Sequence, residues 1–290
     1  MPEPSCIGLL GVGLAGSAIA KRLLAAGYSL CAFDPAMDTA DRVEALGASW
    51  RGSEREVAAD CRCIVLSLPG PAEVRGVMDA IVPVLRAGDL ILDTTTGRPS
   101  DVDAIAASLS AKGVGYLDAT LGGSSSQIAR GEAIVICGAE DADFARANGI
   151  LLAISDRVFH TGPPGSGTRM KLVINMAIGL HRAVLGEALA FARSNGIDPE
   201  QALEVLKSGP AYSRVMDTKG AKMVHSDFTP EARLAQHWKD VRLMLECAEQ
   251  NGASVPLTRV HDQLLAIAVE SGWGAEDNSA IAKVFWNGSS

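Results

Sequence analysis

The stretch Cys6-Ile7-Gly8-Leu9-Leu10-Gly11-Val12-Gly13-Leu14-Ala15-Gly16 limits what this chain can fold into more than any other. A short apolar run of strand type leads into G-x-G-x-x-G at Gly11, Gly13 and Gly16. Apolar residues then recur at helical spacing at Ile19, Leu23 and Leu24. In the order strand, glycine turn, helix, this pattern is a cradle for a dinucleotide. Gly11 permits the tight turn, Gly13 lets backbone approach a pyrophosphate, and Gly16 lets the helix pack on the strand. Gly11, Val12, Gly13, Leu14, Ala15 and Gly16 then present a helix N-terminus to the phosphates. A second strand, Ser29 to Phe33, ends in Asp34 about 20 residues on, where a carboxylate suits ribose hydroxyls. Pro35, Ala36 and Met37 follow it, so no Arg or Lys offsets its charge against a 2′-phosphate. This predicts NAD over NADP. Asp34 equally suits a turn or a helix N-cap.

At 290 residues the chain is long enough for two domains with a sizeable core. Its net charge of −8 argues against nucleic acid or an acidic membrane as the main partner. The six cysteines are scattered, and Cys61-x-Cys63 is too tight for a usual zinc pair. They read as buried reduced thiols, and no metal site is expected. Met1-Pro2-Glu3-Pro4 lacks the basic and apolar regions of a signal peptide, and no membrane span is expected. The expectation is a cytoplasmic protein.

Beyond Asp34, strand-like and helix-like stretches alternate. Ile64 to Leu68 and Leu90 to Asp93 are continuous apolar runs, as in parallel strands buried on both faces. Gly115 to Asp118, Ala133 to Cys137 and Arg157 to His160 read as further strands. The expected fold is α/β: a Rossmann-type, doubly wound parallel sheet over residues 1–162, with ligands beyond the C-terminal strand ends. After Gly162-Pro163-Pro164-Gly165-Ser166-Gly167 strand signals stop. Residues 163–290 are expected to form an all-α domain, reached through one long helix from Thr168 to Arg193.

Three polar constellations could carry chemistry. Lys171 and Asn175 share a face of the long helix at i, i+4 spacing. A lysine held in a cleft suits a general acid/base, and an amide can hold a substrate without titrating. Taken alone, such a pair is also a common surface feature. Asp118 to Ser126 follows a strand, so its small residues and hydroxyls suit a carboxylate, or simply form a flexible turn. His237-Trp238-Lys239-Asp240 reads either as a solvated charged pair or as a place from which Lys239 reaches the cofactor.

The order of these pieces changes their weight. G-x-G-x-x-G, Thr-Thr after a strand, Asp-x-x-x-Gly-Gly, and Gly-x-x-Gly-x-Gly-x-x-x-Lys-x-x-x-Asn from Gly162 to Asn175, then Lys-Asp, together resemble the β-hydroxyacid dehydrogenase family over essentially the whole chain. That family includes 3-hydroxyisobutyrate dehydrogenase and belongs to the 6-phosphogluconate dehydrogenase superfamily. The resemblance implies hydride transfer between NAD(P) and a small 3-hydroxy acid or its semialdehyde. It implies Lys171 as catalytic acid/base and Asn175 as its substrate-holding neighbour. Gly122, Gly123 and Ser124 match the substrate-carboxylate loop, Thr95 the residue near the nicotinamide, Lys239 the cofactor-contacting lysine, and Ser67, Leu68 and Pro69 the loop on the adenosine side. It also implies a homodimer or homotetramer.

Two departures stand out. The family's substrate loop usually reads Asp-x-Pro-Val-Ser-Gly-Gly, whereas here it reads Asp118-Ala119-Thr120-Leu121-Gly122-Gly123-Ser124, which moves a hydroxyl by two positions. Arg98 is also unusual and would either favour a more acidic substrate or sit in an exposed loop. The alternatives are an aldehyde or imine reductase and a catalytically silent NAD-binding protein. Related imine reductases usually lack the lysine, and silent relatives have lost it.

Overall fold

The computed structural model describes residues 6–36 and 39–286. The first part of the chain is β1 (Ile7–Leu10), α1 (Leu14–Ala25), β2 (Leu30–Phe33), α2 (Thr39–Ala45), β3 (Ser49–Trp50), α3 (Glu54–Asp60), β4 (Cys63–Leu66), α4 (Pro71–Ile81), β5 (Leu90–Asp93), α5 (Pro99–Ser110), β6 (Gly115–Gly122), α6 (Ser125–Ala129), β7 (Ile134–Gly138), α7 (Asp141–Ile154) and β8 (Val158–Gly162). The strands form one sheet in the order β3-β2-β1-β4-β5-β6-β7-β8.

Successive strand residues face opposite sides, and both sides are apolar. Ile7, Leu9, Leu30, Val65 and Leu92 pack with Ile19 and Leu23 of α1, Ile128 of α6 and Leu151 of α7. Leu10, Cys31, Ile64, Leu66 and Ile91 pack on the other side with Val57 of α3, Met78 and Ile81 of α4 and Leu109 of α5. This explains why the strands read as unbroken apolar runs.

The expectation of an all-parallel sheet is corrected at one place, since β6 and β7 pair antiparallel, from Asp118 opposite Gly138 to Gly122 opposite Ile134. The connection between them holds only the five-residue α6, too little for the crossover that parallel neighbours need. β3, α3, α6 and α7 carry too short or too mixed a pattern to stand out in the sequence.

The long helix, α8 (Ser166–Ser194), is followed by α9 (Pro199–Ser208), α10 (Arg214–Val224), α11 (Leu234–Gln250), α12 (Pro256–Ala268) and α13 (Ala282–Trp286), so the second part is helical as expected. The sequence pattern changes at Gly162, whereas the chain divides into compact units between Lys171 and Leu172, inside α8. The first turn of α8 belongs with the sheet because the Asp118 carboxylate at the end of β6's parallel pairing accepts the Gly165 N–H at 2.6 Å and the Thr168 N–H at 2.5 Å. Alone among the described helices, α8 is long and apolar enough to cross a membrane, at a mean hydropathy of 1.4.

Within the second unit, His237 lies buried rather than solvated. Its Nε2 is 3.1 Å from Nε2 of His261, and Arg182, also buried, lies nearby. Burial, with the neighbouring Arg182 charge, pushes His261 down to about 4 and His237 well below its usual range.

Candidate active site

The strand order reverses at β1, whose neighbours β2 and β4 lead away in opposite directions. A crevice is expected beyond the C-terminal ends there. A cleft of about 570 Å³ opens at that point. Gly11, Gly13, Leu14, Ala15, Gly16, Asp34, Ser67, Leu68 and Pro69 all line it, nine of the positions expected to hold a cofactor.

The glycines behave differently from one another. Gly11 has φ +93°, and a Cβ there would overlap the Ser67 carbonyl oxygen. A Cβ on Gly16 would overlap the carbonyl oxygen of Gly11. A Cβ on Gly13 would meet nothing within 4 Å. Gly11 and Gly16 are therefore required by the protein's own packing, whereas at Gly13 the space is open. No side chain caps α1, so the N–H groups of its first turn face this space with the partial positive charge of a helix start. Leu14 is 83 % exposed at the rim, as an apolar side chain against a ligand ring would be. The residues present fit a dinucleotide.

Val12 has a different place. It is fully buried, and its N–H donates to Asp34 Oδ2 at 2.7 Å. The other Asp34 oxygen accepts the Ala36 N–H at 2.9 Å, so Asp34 is both a turn residue and a carboxylate aimed along the cleft wall. Thr95 is buried and does not line the cleft. Its hydroxyl accepts the Leu68 N–H at 3.1 Å and joins the loops after β4 and β5. Beneath it lies Asp93, which accepts the Thr95 N–H at 2.8 Å and the Tyr116 hydroxyl at 2.8 Å. Burial pushes Asp93 up to about 6 against these hydrogen bonds. The sequence reading missed Glu54 and Glu73, which also line the cleft. Both stand in first helical turns, the one signal that could have found them.

At the end of β6 the Lys171 Nζ donates to the Leu121 carbonyl oxygen at 2.7 Å. Lys171 thus stands beside Gly122 and Gly123. Its α8 neighbour one turn on, Asn175, donates from Nδ2 to Asp240 Oδ2 at 3.3 Å, and Lys239 is exposed on α11. The expected flexible turn after Asp118 takes another form. β6 continues to Gly122, Gly123 makes the turn, and Ser124 N-caps α6 in a capping box with Gln127. The Ser124 N–H donates to Gln127 Oε1 at 2.8 Å and its hydroxyl accepts the Gln127 N–H at 3.3 Å.

A helix-start phosphate cradle on a switch-point sheet, with a lysine pinned beside a glycine turn two strands away, defines a dinucleotide-dependent oxidoreductase. Comparison with known proteins makes this narrower. Residues 6–162 match the NAD binding domain of 6-phosphogluconate dehydrogenase, and residues 165–285 match the NAD-binding domain of NADP-dependent 3-hydroxyisobutyrate dehydrogenase. The chain is 30 % identical over 283 residues to 2-(hydroxymethyl)glutarate dehydrogenase of Eubacterium barkeri, covering 96 % of this chain and 94 % of that protein. It is similar to a crystal structure of 3-hydroxyisobutyrate dehydrogenase from Salmonella typhimurium, with TM-score 0.85, 28 % identity and coverage of 97 % and 99 % of the two chains. An imine reductase from Myxococcus stipitatus, in complex with NAD+, shares the fold at TM-score 0.66 and 20 % identity, over 97 % and 99 % of the two chains. This chain belongs to the β-hydroxyacid dehydrogenase family and is an NAD(P)-dependent oxidoreductase.

Proposed function

We propose that the protein oxidises a small 3-hydroxy acid with NAD and reduces the matching semialdehyde with NADH. The observation that carries the reading is the 2.7 Å hydrogen bond from Lys171 Nζ to the Leu121 carbonyl oxygen. That carbonyl accepts an N–H from the amine and from the ammonium alike, so it holds Nζ in place in both protonation states. The neutral amine then has a lone pair for the proton of the substrate hydroxyl as the C–H hydrogen leaves as hydride. In the other direction the ammonium returns a proton to the carbonyl oxygen. The bound nicotinamide supplies hydride transfer at its C4. Gly122, Gly123 and Ser124, next to Leu121, are assigned to the substrate carboxylate, and Asn175 to a polar group of the substrate. Because the Ser124 N–H and hydroxyl already serve Gln127, backbone N–H groups carry more of that recognition than the sequence suggested.

The preference for NAD rests on charge. Among the described residues, Asp34, Glu54 and Glu73 are the charged ones lining the cleft, and a 2′-phosphate near these carboxylates is disfavoured. Lys239 is assigned to the cofactor. A homodimer or homotetramer in the cytoplasm, with no nucleic-acid or membrane partner, completes the reading.

The test is NAD and NADP reduction by purified protein over a panel of 3-hydroxy acids, with semialdehydes for the reverse reaction, alongside Lys171→Ala. The expected result is turnover with NAD that falls by roughly 10²–10⁴ in the variant while NADH still binds. NADH binding without turnover on any substrate would favour the silent reading. Activity that survives Lys171→Ala would overturn the mechanism. The imine reductase reading is supported by the shared fold alone, and the retained lysine counts against it.

A further inference from the structure

Three thiols far apart in sequence meet at the end of the sheet away from the cofactor cleft. Cys6 precedes β1, Cys31 lies in β2 and Cys61 follows α3. Cys6 Sγ is 3.0 Å from Cys31 Sγ and 3.6 Å from Cys61 Sγ, and the three sulfurs lie within 4.8 Å of one another. β1, which follows Cys6, and β2, which carries Cys31, run on to Gly11 and Asp34 at their other ends.

The arrangement depends on a fourth residue. Gly8 stands in β1 on the same face as Cys6, and a Cβ there would lie 2.7 Å from Val57 Cγ1 and 3.4 Å from Cys61 Cβ. The missing side chain lets the end of α3 come down onto the sheet and brings the third thiol to the other two. Val57, Ala58 and Ile64 close the site with apolar atoms, and Cys6 leaves it partly open to solvent. The Arg51 guanidinium lies near Cys6 and Cys31, while its Nε holds Asp60 at 2.7 Å.

We propose that Cys6, Cys31 and Cys61 form a site for one thiophilic d¹⁰ metal ion, Cu(I) in preference to Zn(II). Among the described residues the donor set is three sulfurs, with no nitrogen or carboxylate in the group. Soft thiolates select Cu(I), and a structural Zn(II) site would call for a fourth ligand. Each thiol engaged must lose its proton.

The test is an anaerobic titration of the fully reduced full-length protein with Cu(I), in competition with bathocuproine disulfonate. Parallel titrations use Zn(II), and Cys31→Ala, Cys61→Ala and Cys247→Ala, each checked for native circular dichroism. The expected result is one Cu(I) per chain in the wild type and in Cys247→Ala. Affinity in Cys31→Ala and Cys61→Ala falls by at least about 100-fold, the scale on which even outer-shell partners of a metal act. Equal affinity in all four proteins overturns the site. So does failure of the folded, reduced wild type to compete with the chelator. Stoichiometric Zn(II) uptake without Cu(I) uptake overturns the choice of ion. A Cys6–Cys31 disulfide that forms in air, in a protein that takes up no Cu(I) after reduction, overturns the metal assignment in favour of a redox pair.

Discussion

Replacing Asp93 with asparagine should remove one component of the pH dependence of folding. Asp93 is fully inside the first unit, at the end of β5, with Thr95 N–H on one oxygen and the Tyr116 hydroxyl on the other. Burial raises it from 3.8 to about 6 in the folded protein. The folded state therefore holds a proton there more tightly than the unfolded chain. Below about pH 4 both states are protonated and the group's contribution is fully present. As pH rises through about 6 it is lost, and stability falls. A displacement from 3.8 to about 6 corresponds to about 3 kcal/mol, to order of magnitude. Asparagine keeps the shape, keeps an acceptor for Thr95, and cannot ionise. His261 acts in an overlapping window with the opposite sign. Its folded value is depressed from 6.5 to about 4, so its contribution is present above 6.5 and lost as pH falls towards 4. The wild-type profile alone can look flat for that reason, and the difference between wild type and variant isolates Asp93. Urea unfolding at several pH values between 4 and 7 measures it. The variant should gain about 3 kcal/mol on the wild type between the two ends of this range. Parallel profiles for the two proteins would refute the reasoning.

Four other outcomes follow from the structure. Gly13→Ala should leave urea stability within about 1 kcal/mol of wild type, as a Gly replacement without clash does, and should weaken NADH binding in a fluorescence titration. Gly11→Ala should instead destabilise the fold by more than about 1 kcal/mol, since it combines a positive φ with overlap on Ser67. His261→Gln should lessen the loss of stability between pH 6.5 and 4 seen by urea unfolding, because the unfolded chain then no longer gains that proton. On α8, Val184 and Phe191 are 61 % and 71 % exposed, an apolar face that suits a second copy of the chain. Phe191→Glu should lower the molar mass found by light scattering, and an unchanged mass would exclude this face as the contact.

Local pattern announced much of this molecule. The glycine turn, Asp34 and the Ser67 to Pro69 loop could be placed because their chemistry depends on strand ends, and strand ends are marked by short-range sequence. Lys171 was singled out by the family resemblance carried by its spacing from Gly162, Gly165 and Gly167. What stayed hidden depends on contacts between distant segments. Nothing near Asp118 shows that its carboxylate fastens the first turn of α8, and nothing near Thr95 shows that its hydroxyl serves Leu68. The antiparallel β6–β7 pair was hidden because a buried strand has the same composition in either direction. Cys6, Cys31 and Cys61 are separated by whole elements, so spacing rules for metal ligands could not bring them together.

Gly13 has a consequence for how the cofactor preference of this chain could be redesigned. On the proposed reading the phosphates meet main-chain atoms around the open space at Gly13, which a side chain added there would enter. Those atoms are the same for either dinucleotide. Under the proposed preference for NAD, the choice between the two rests on Asp34, Glu54 and Glu73 along the cleft wall. An NADP-using version would leave the glycine turn untouched and reverse charge along that wall. Asp34 would be the hardest of the three to exchange, because its carboxylate also anchors Val12 and shapes the turn at Ala36.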